Sequence, residues 1–410
     1  MARHARIVYV RRRIAVGVVA VLGMTGIGLG GYSAVALGLP LPETLPSIAA
    51  PALPSGVAAA PAPAPFGSSG IGVVGWTDPL AVAGDPAPRP IASITKVVTA
   101  LVVLSAMPIT EGDGPTRTLT ALDAAYYDDA VANAESRVPA PEGSVITERD
   151  AIEAMIVSSS ANHARMLVDW AFGSQDAFVA AAQAWVAAQG LIETTIVEPT
   201  GADPGNRSTV PELIRIGELA LADPVLAGIM AQPTADLPDV GPISSTNGLL
   251  GIDGIDGIKT GTLDEAGACL LFSADVAVGS RTVTLVGVVL GGPDHDAVNA
   301  SVRTLLASAV AGLSELVVPA GTAFGSYEAV WGASAVAVTS APATFLVWGA
   351  EAVAASVDLE PLVTAPDDAE VGGVSLSTTR DAVVIPLVLD APIDDPGNGW
   401  RWTHPGRAAG

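Results

Sequence analysis

Lysine is almost missing from this chain: among 410 residues only Lys96 and Lys259 carry a primary amine on the side chain, and the rest of the strongly basic residues are arginine. A guanidinium stays protonated at any working pH, whereas a lysine amine gives up its proton when it is desolvated or set beside another cation. A chain that meets its need for positive charge with arginine and still keeps two titratable amines has reason to use at least one of them as a base. Cysteine is scarcer still. Cys269 stands alone, which excludes an intrachain disulfide and every Cys-x-x-Cys metal or redox site; it reads as a small core residue. The four histidines, His4, His163, His295 and His404, are scattered. Asp294-His295-Asp296 lacks the spacing of a His/His/carboxylate site and reads as a solvated loop, so no metal and no cofactor is expected. Positive charge is short overall, with a net charge of −23 that becomes more negative once the five arginines of the first thirteen residues are set aside. Such a body excludes nucleic-acid binding and adhesion to anionic lipid, both of which need clustered Lys and Arg.

What is there is a chain that is 50% hydrophobic and long enough for two to three domains. Residues 1–13 are basic, and 14–39 are uncharged and rich in Val, Ala, Leu, Ile and Gly. That run is long enough to cross a bilayer of ~30 Å hydrocarbon thickness, with the arginines holding its start in the cytoplasm. The segment 1–39 is thus a membrane anchor, or a signal peptide cut at Ala34-Val35-Ala36; either way the body is exported. Residues 40–66 form a Pro/Ala-rich tract that reads as an extended spacer.

Residues 67–315 carry mixed patterning. A strand is expected at 71–76 and a buried helix starting at about Ala92, within a run, Ile91–Met107, that is apolar nearly throughout. Thr147 and Asp150 cap a second helix, which breaks at Ser158-Ser159-Ser160 and then resumes. Thr209 and Pro211 open a further one. Beyond Gly251 the period changes to that of strands at 257–262, 268–277 and 281–290, joined by short turns and hence antiparallel, with a helix at 296–313. Residues 316–410 turn to short Val/Ala/Thr-rich strands between Gly, Pro and Asp breaks, as in a small all-β domain. The fold class is therefore α+β, followed by a β-rich C-terminal domain.

Three segments carry chemistry. In Ser93-Ile94-Thr95-Lys96 the hydroxyl sits at the first turn of a buried helix, near free backbone N–H groups, and the amine lies one turn along on the same face. An apolar wall drives that amine towards its neutral form, able to accept the Ser93 proton. Ser160-Ala161-Asn162, at a break between helices, is placed to present a hydroxyl and an amide to a cleft. In Lys259-Thr260-Gly261-Thr262 alternation puts Lys259 and Gly261 on one face of a strand, and Gly261 lets a ligand backbone approach the edge.

Ser-x-x-Lys, Ser-x-Asn and Lys-Thr-Gly in this order resemble the penicillin-recognising serine peptidases and class A β-lactamases. The flanking text, Pro90-Ile91-Ala92-Ser93-Ile94-Thr95-Lys96-Val97-Val98-Thr99, Glu198-Pro199-Thr200-Gly201 and Thr246-Asn247-Gly248-Leu249-Leu250, narrows the resemblance to serine-type D-alanyl-D-alanine carboxypeptidases of low molecular mass. It covers about 70–314 and implies a helical subdomain beside a five-stranded antiparallel sheet with flanking helices. It implies Ser93 as acylated nucleophile, Lys96 as its base and Ser160 as proton relay. Asn162 would hold the substrate amide, and Lys259, Thr260, Gly261 and Thr262 the strand-side contacts and the terminal carboxylate. The backbone N–H groups of Ser93 and Thr262 would form an oxyanion hole. The implied partners are peptidoglycan stem peptides, with β-lactams as covalent inhibitors, in the cell envelope. His163 departs from the family pattern, which often has an acid or Asn there. A β-lactamase of the same fold would need a water-activating glutamate, for which Glu198 is the candidate although Pro199-Thr200-Gly201 does not fit. A catalytically silent wall-binding homologue is the other alternative. No Gly-x-Ser-x-Gly esterase elbow occurs.

Overall fold

The structure is a computed structural model that describes residues 2–407, in two compact units: one comprises 56–315 with 347–350, the other the residues up to 55 with 316–346 and 351–407.

The first unit combines a helical block with an antiparallel sheet. In chain order its principal elements are β1 (Ser68–Val73), β2 (Ala81–Gly84), α1 (Thr95–Ala106), α2 (Glu148–Val157), α3 (Ala161–Phe172), α4 (Val210–Ala222), β3 (Ile255–Leu263), β4 (Gly267–Val278), β5 (Arg281–Gly292) and α5 (His295–Gly312). The five strands lie in the order β3-β4-β5-β1-β2, each antiparallel to its neighbours, so the strand bearing Lys259 is an edge. Along β3–β5, Ile258, Leu271, Val286, Val288 and Leu290 join the core of the helical block. The alternate residues Leu270, Phe272, Leu285 and Val289 are equally buried on the side that α5 covers. Covering both faces explains why β4 and β5 read as almost continuous apolar runs.

Helix α1 is buried from Thr95 to Leu104. Around it, Ile152 and Met155 of α2, Met166 and Leu167 of α3, and Leu213 and Ile216 of α4 complete one core. Helix α2 starts as its sequence dictates: the Thr147 hydroxyl accepts from the Asp150 N–H, and Asp150 answers with a bond to the Thr147 N–H. Helix α4 does not. The Thr209 side chain makes no capping bond and its hydroxyl is buried without a partner, so the start rests on Pro211, whose fixed φ suits the first turn.

In the second unit six strands form an antiparallel sheet in the order Pro46–Ile48, Ala323–Glu328, Ser334–Thr339, Ala382–Leu389, Glu370–Ser377, Ala354–Leu359. The Pro/Ala tract is therefore not wholly a spacer. Residues 46–48 pair with 325–327, and Leu41 and Thr44 are buried. Strand pairing uses main-chain groups, so a tract poor in large side chains still adds an edge strand, with Pro46 at its first position where a missing N–H is tolerated. The helix Ala2–Gly38 belongs to this unit; its segment Arg6–Gly38 is long and apolar enough to cross a membrane, a test that a signal sequence also passes. The Tyr32 hydroxyl donates to the Trp402 carbonyl, and the Trp402 indole N–H donates to the Ser33 hydroxyl.

Helix α4 meets the sheet at Gly217, where an added Cβ would stand 2.6 Å from Val286 Cγ1 and 3.1 Å from Ile258 Cδ1. Gly217→Val should therefore lower unfolding stability by about 2 kcal/mol through overpacking. Gly228→Ala, in a helix where nothing lies within 4 Å of the added atom, should raise it by up to ~1 kcal/mol. Denaturant midpoints of the detergent-solubilised chain measure both; equal midpoints for the two variants would refute the packing account.

Candidate active site

Ser93 lies in a single 3-10 turn, Ala92–Ile94, that leads directly into α1. Ala92 adopts a left-handed φ of 47°, a conformation uncommon for a residue with a side chain. One turn on, the Lys96 Nζ is 3.0 Å from the Ser93 Oγ and donates to the Thr200 carbonyl at 2.5 Å. Lys96 is 2% exposed. Burial in this apolar wall lowers its pKa to about 8; the Arg165 charge lowers it too, while the charges of Glu198 and Glu135 pull the other way. With one N–H fixed on a carbonyl and the hydroxyl in reach, the neutral amine has its lone pair available to Ser93.

The Thr200 carbonyl is held by its own loop. The Glu198 carboxylate accepts from the Thr200 N–H at 2.7 Å and hydroxyl at 2.6 Å, and from the Gly201 N–H and the Asn206 side-chain amide at 2.5 Å each. The Asn206 Oδ1 in turn accepts from the Val197 and Glu198 N–H groups. Gly201, with φ 86°, presses on the Ser93 turn: a Cβ there would stand 2.0 Å from the Ala92 oxygen. Only glycine combines that φ with that approach.

Strand β3 runs beside the same turn. The space over Gly261 is filled by the Ala92 Cβ, the Ile91 oxygen and the Ser93 nitrogen, all within 3.3 Å of where a Cβ would stand. The missing side chain admits the Ser93 turn, where the sequence suggested a ligand backbone. Lys259 is 1% exposed and donates to the Thr260 carbonyl at 3.2 Å and, at 3.5 Å, to its hydroxyl. Its pKa falls well below that of a free lysine, chiefly through burial and then through the charge of Lys96. The Thr260 hydroxyl is bonded to that of Thr246 at 2.5 Å, and the Asn247 amide donates to the Gly257 carbonyl. The Thr262 hydroxyl is exposed and lies 2.7 Å from His295 Nε2. His295 opens α5, capped by Asp294, so Asp294-His295-Asp296 is a helix start and not a loop.

Ser160 and Asn162 sit where α2 breaks and α3 begins, both fully buried. The Ser160 hydroxyl donates to Asn162 Oδ1 at 2.7 Å and lies 2.8 Å from His163 Nδ1. Among the described residues it makes no hydrogen bond to Ser93 or Lys96. The Asn162 amide donates to the Val138 carbonyl at 2.9 Å and its oxygen accepts from the Val138 N–H at 3.2 Å, so it clamps a neighbouring segment instead of presenting a free amide. His163 is turned inward, away from any substrate edge. Burial lowers its pKa to about 4, against the opposing charge of Asp123, and leaves the ring neutral at physiological pH.

A cleft of about 500 Å³ brings part of this set together. Ser93, Lys96, Thr200, Gly201 and Thr262 line it, opposite Asn133, Glu135, Ser136 and Ala161. Ser160, Asn162, Lys259 and Thr260 do not line it. Glu135, at the rim, is fixed by a bidentate pair with Arg165 at 2.6 and 2.7 Å. The residues that sequence reasoning missed are the Glu198–Asn206 network, the His163–Ser160 contact and His295. The acid beside Pro199-Thr200-Gly201 left a trace in the sequence, where it suggested a water-activating base; His163 and His295 stood out too, but not for these contacts. With its oxygens engaged by this many donors, Glu198 has no lone pair free to activate a water.

The family of D-alanyl-D-alanine carboxypeptidases described as Peptidase_S11 matches residues 80–294. A D-alanyl-D-alanine endopeptidase of Pseudomonas aeruginosa is 33% identical over 196 residues, which span 46% of this chain and 60% of that protein. The D-alanyl-D-alanine carboxypeptidase DacA of Escherichia coli is 28% identical over 219 residues, 52% of this chain and 53% of that one. The chain thus spans little more than half the length of these relatives. Among solved structures, penicillin binding protein 5 from Haemophilus influenzae superposes with a TM-score of 0.59 at 19% identity, covering 82% of this chain and 99% of that one, which shows the same fold. A family match over more than half of the sequence, on a body with this sheet and helical block, places the chain in the S11 family of D-alanyl-D-alanine carboxypeptidases.

Proposed function

We propose that the protein is a serine-type D-alanyl-D-alanine carboxypeptidase that removes the terminal D-alanine from peptidoglycan stem peptides through an acyl-enzyme on Ser93. The observation that carries the reading is the Lys96 amine 3.0 Å from the Ser93 hydroxyl in a cleft edged by β3. The Ser93 oxygen attacks the carbonyl of the penultimate D-alanine while Lys96 takes its proton. The C–N bond then breaks, the departing amine is protonated, and water later releases the shortened peptide and frees Ser93. The backbone N–H groups of Ser93 and Thr262 serve the developing oxyanion, a role supported by the close packing of Gly261 on the Ser93 turn. Thr262, at the cleft wall, receives the terminal carboxylate, with Lys259 and Thr260 behind it on β3 supplying the positive charge and a further hydroxyl. Ser160 relays the proton to the departing amine once its hydroxyl turns from Asn162, and Asn162 orders that loop. β-Lactams, which offer a strained amide and a carboxylate, acylate the same serine. The helix Ala2–Gly38 tethers the body at the outer face of the cytoplasmic membrane, where the wall polymer lies.

Similarity to an endopeptidase favours a second reading, cleavage of D-alanyl cross-links between stems. Incubation with a synthetic pentapeptide and with a cross-linked stem dimer, read by mass spectrometry, separates the two by product. Ser93→Ala should abolish both activities and labelling by a fluorescent penicillin. A wild-type protein that takes no penicillin label at Ser93 sinks the proposal, and the β-lactamase alternative predicts fast turnover of penicillin in place of a lasting adduct.

The pH profile follows from Lys96. Below about 8 the amine is an ammonium with no lone pair; above it the base is neutral. Acylation should therefore rise about tenfold per pH unit on the acid side and level off above about 8. Stopped-flow acylation between pH 5.5 and 9.5 measures this; a flat profile contradicts Lys96 as base. Lys259→Ala should remove about 1.5–3 kcal/mol of carboxylate recognition. The wild type should prefer a free C-terminal acid over the corresponding amide, and the variant should lose that preference in kcat/KM.

A further inference from the structure

We propose that Glu198 is a positioning residue for the base: through the loop 197–206 it fixes the Thr200 carbonyl that orients the Lys96 amine, and it faces that amine with a half-buried negative charge. The inference rests on Ser93 and Lys96 acting as nucleophile and base, and adds the residue that governs the base.

The geometry is that of a clamp. Glu198 gathers the Thr200 N–H and hydroxyl, the Gly201 N–H and the Asn206 amide onto one carboxylate, with the Asp203 N–H at 3.5 Å. A carboxylate offers about four lone-pair sites, so all of them are engaged. The clamped loop touches the catalytic helix on each side of the nucleophile. The Asn206 carbonyl accepts from the Ile91 N–H at 3.1 Å, ahead of Ser93. Gly201 packs on Ala92, the Thr200 carbonyl accepts from Lys96 at 2.5 Å, and the Pro199 carbonyl accepts from the Thr99 hydroxyl at 2.8 Å, one turn further on. Three successive residues of one loop thus hold the Ser93 turn and the first two turns of the helix that follows it. Asn206 and Thr200 are fully buried and Glu198 is half-buried, so the inner side of the clamp is shielded from water.

Charge adds a second function. The groups that face Lys96 are Glu198, Glu135, Arg165 and Lys259; Glu198 is the foremost of those that counter the desolvation of the ammonium. Burial alone would drive the amine further towards neutrality and weaken it as a proton acceptor, whereas a base poised near the working pH serves best. Glu198 holds that balance from the second layer, without touching Ser93.

Glu198→Gln keeps the shape and removes the charge, and Glu198→Asp keeps the charge and shortens the reach. The full chain in detergent is acylated with a fluorescent penicillin across pH, and the lifetime of the adduct is followed separately. Glu198→Gln should slow plateau acylation by about tenfold or more, because the Thr200 carbonyl is no longer fixed. It should also move the acid limb about half a pH unit down, because the opposing charge is gone. Glu198→Asp should return the limb to the wild-type pH while plateau acylation stays slow. Adduct lifetimes should be unchanged in both. An acid limb and plateau in Glu198→Gln equal to the wild type overturn the proposal. So does intact acylation with a greatly lengthened adduct, which identifies Glu198 as a base for deacylation. Failure of the wild type itself to take label refutes the nucleophile assignment, and is told apart from the first two outcomes because no variant is then needed.

Discussion

The desolvation of one amine is the constraint on which this molecule is built. Lys96 has lost nearly all contact with water, and what it receives in exchange is a single carbonyl and a hydroxyl. An isolated ammonium buried in an apolar wall is costly, and a lysine in that position answers by becoming neutral. The helix that presents it has to be buried on all sides, hence the uninterrupted run of Val, Ala, Leu and Thr from Thr95 to Leu104. A half-exposed amphipathic helix would leave the amine in water with its ordinary proton.

The rest of the first unit acts as a frame that keeps this helix end in register with an edge strand. Two glycines do the closest work: Gly201 lets the loop 197–206 lie on the Ala92 carbonyl, and Gly261 lets β3 lie against the Ser93 nitrogen. The contacts are almost all backbone to backbone, so the Ser93 turn is held between two main chains and has little freedom to shift. Because β3 is the edge of the sheet, its outer side faces no further strand.

Much of this was legible in the sequence because it depends on short spacing. A hydroxyl and an amine three apart at the start of a buried helix, a helix broken at Ser158-Ser159-Ser160, and three antiparallel strands follow from local periodicity, and the structure has them. What was not legible depends on partners distant in the chain. The acceptor for the Lys96 amine is 104 residues away. Nothing local says that Asn162 meets Val138, because that depends on how the loop before α2 folds back; His163 and Ser160 are near in the chain, and what the sequence does not show there is that the ring is buried. Thr209 shows the opposite failure: a local pattern that predicts a cap, overridden by burial of the hydroxyl without a partner. The strand at Pro46–Ile48 was hidden because main-chain pairing leaves no mark in composition.

The second lysine gives the arrangement its logic. Lys259 is buried as deeply as Lys96, and the charge of either disfavours charge on the other. Two such amines resist being protonated together, so whichever one gains an anionic neighbour keeps the proton and leaves the other neutral. On the proposed reading the anion is the terminal carboxylate of the substrate, which arrives at Lys259 and so favours the ammonium there. The same event that docks the chain end thus favours the free-amine form of Lys96 beside Ser93. A peptide without that carboxylate would neither dock as well nor bias the proton. Selectivity for a chain end and activation of the nucleophile then have one cause, which explains why a chain this poor in lysine keeps two.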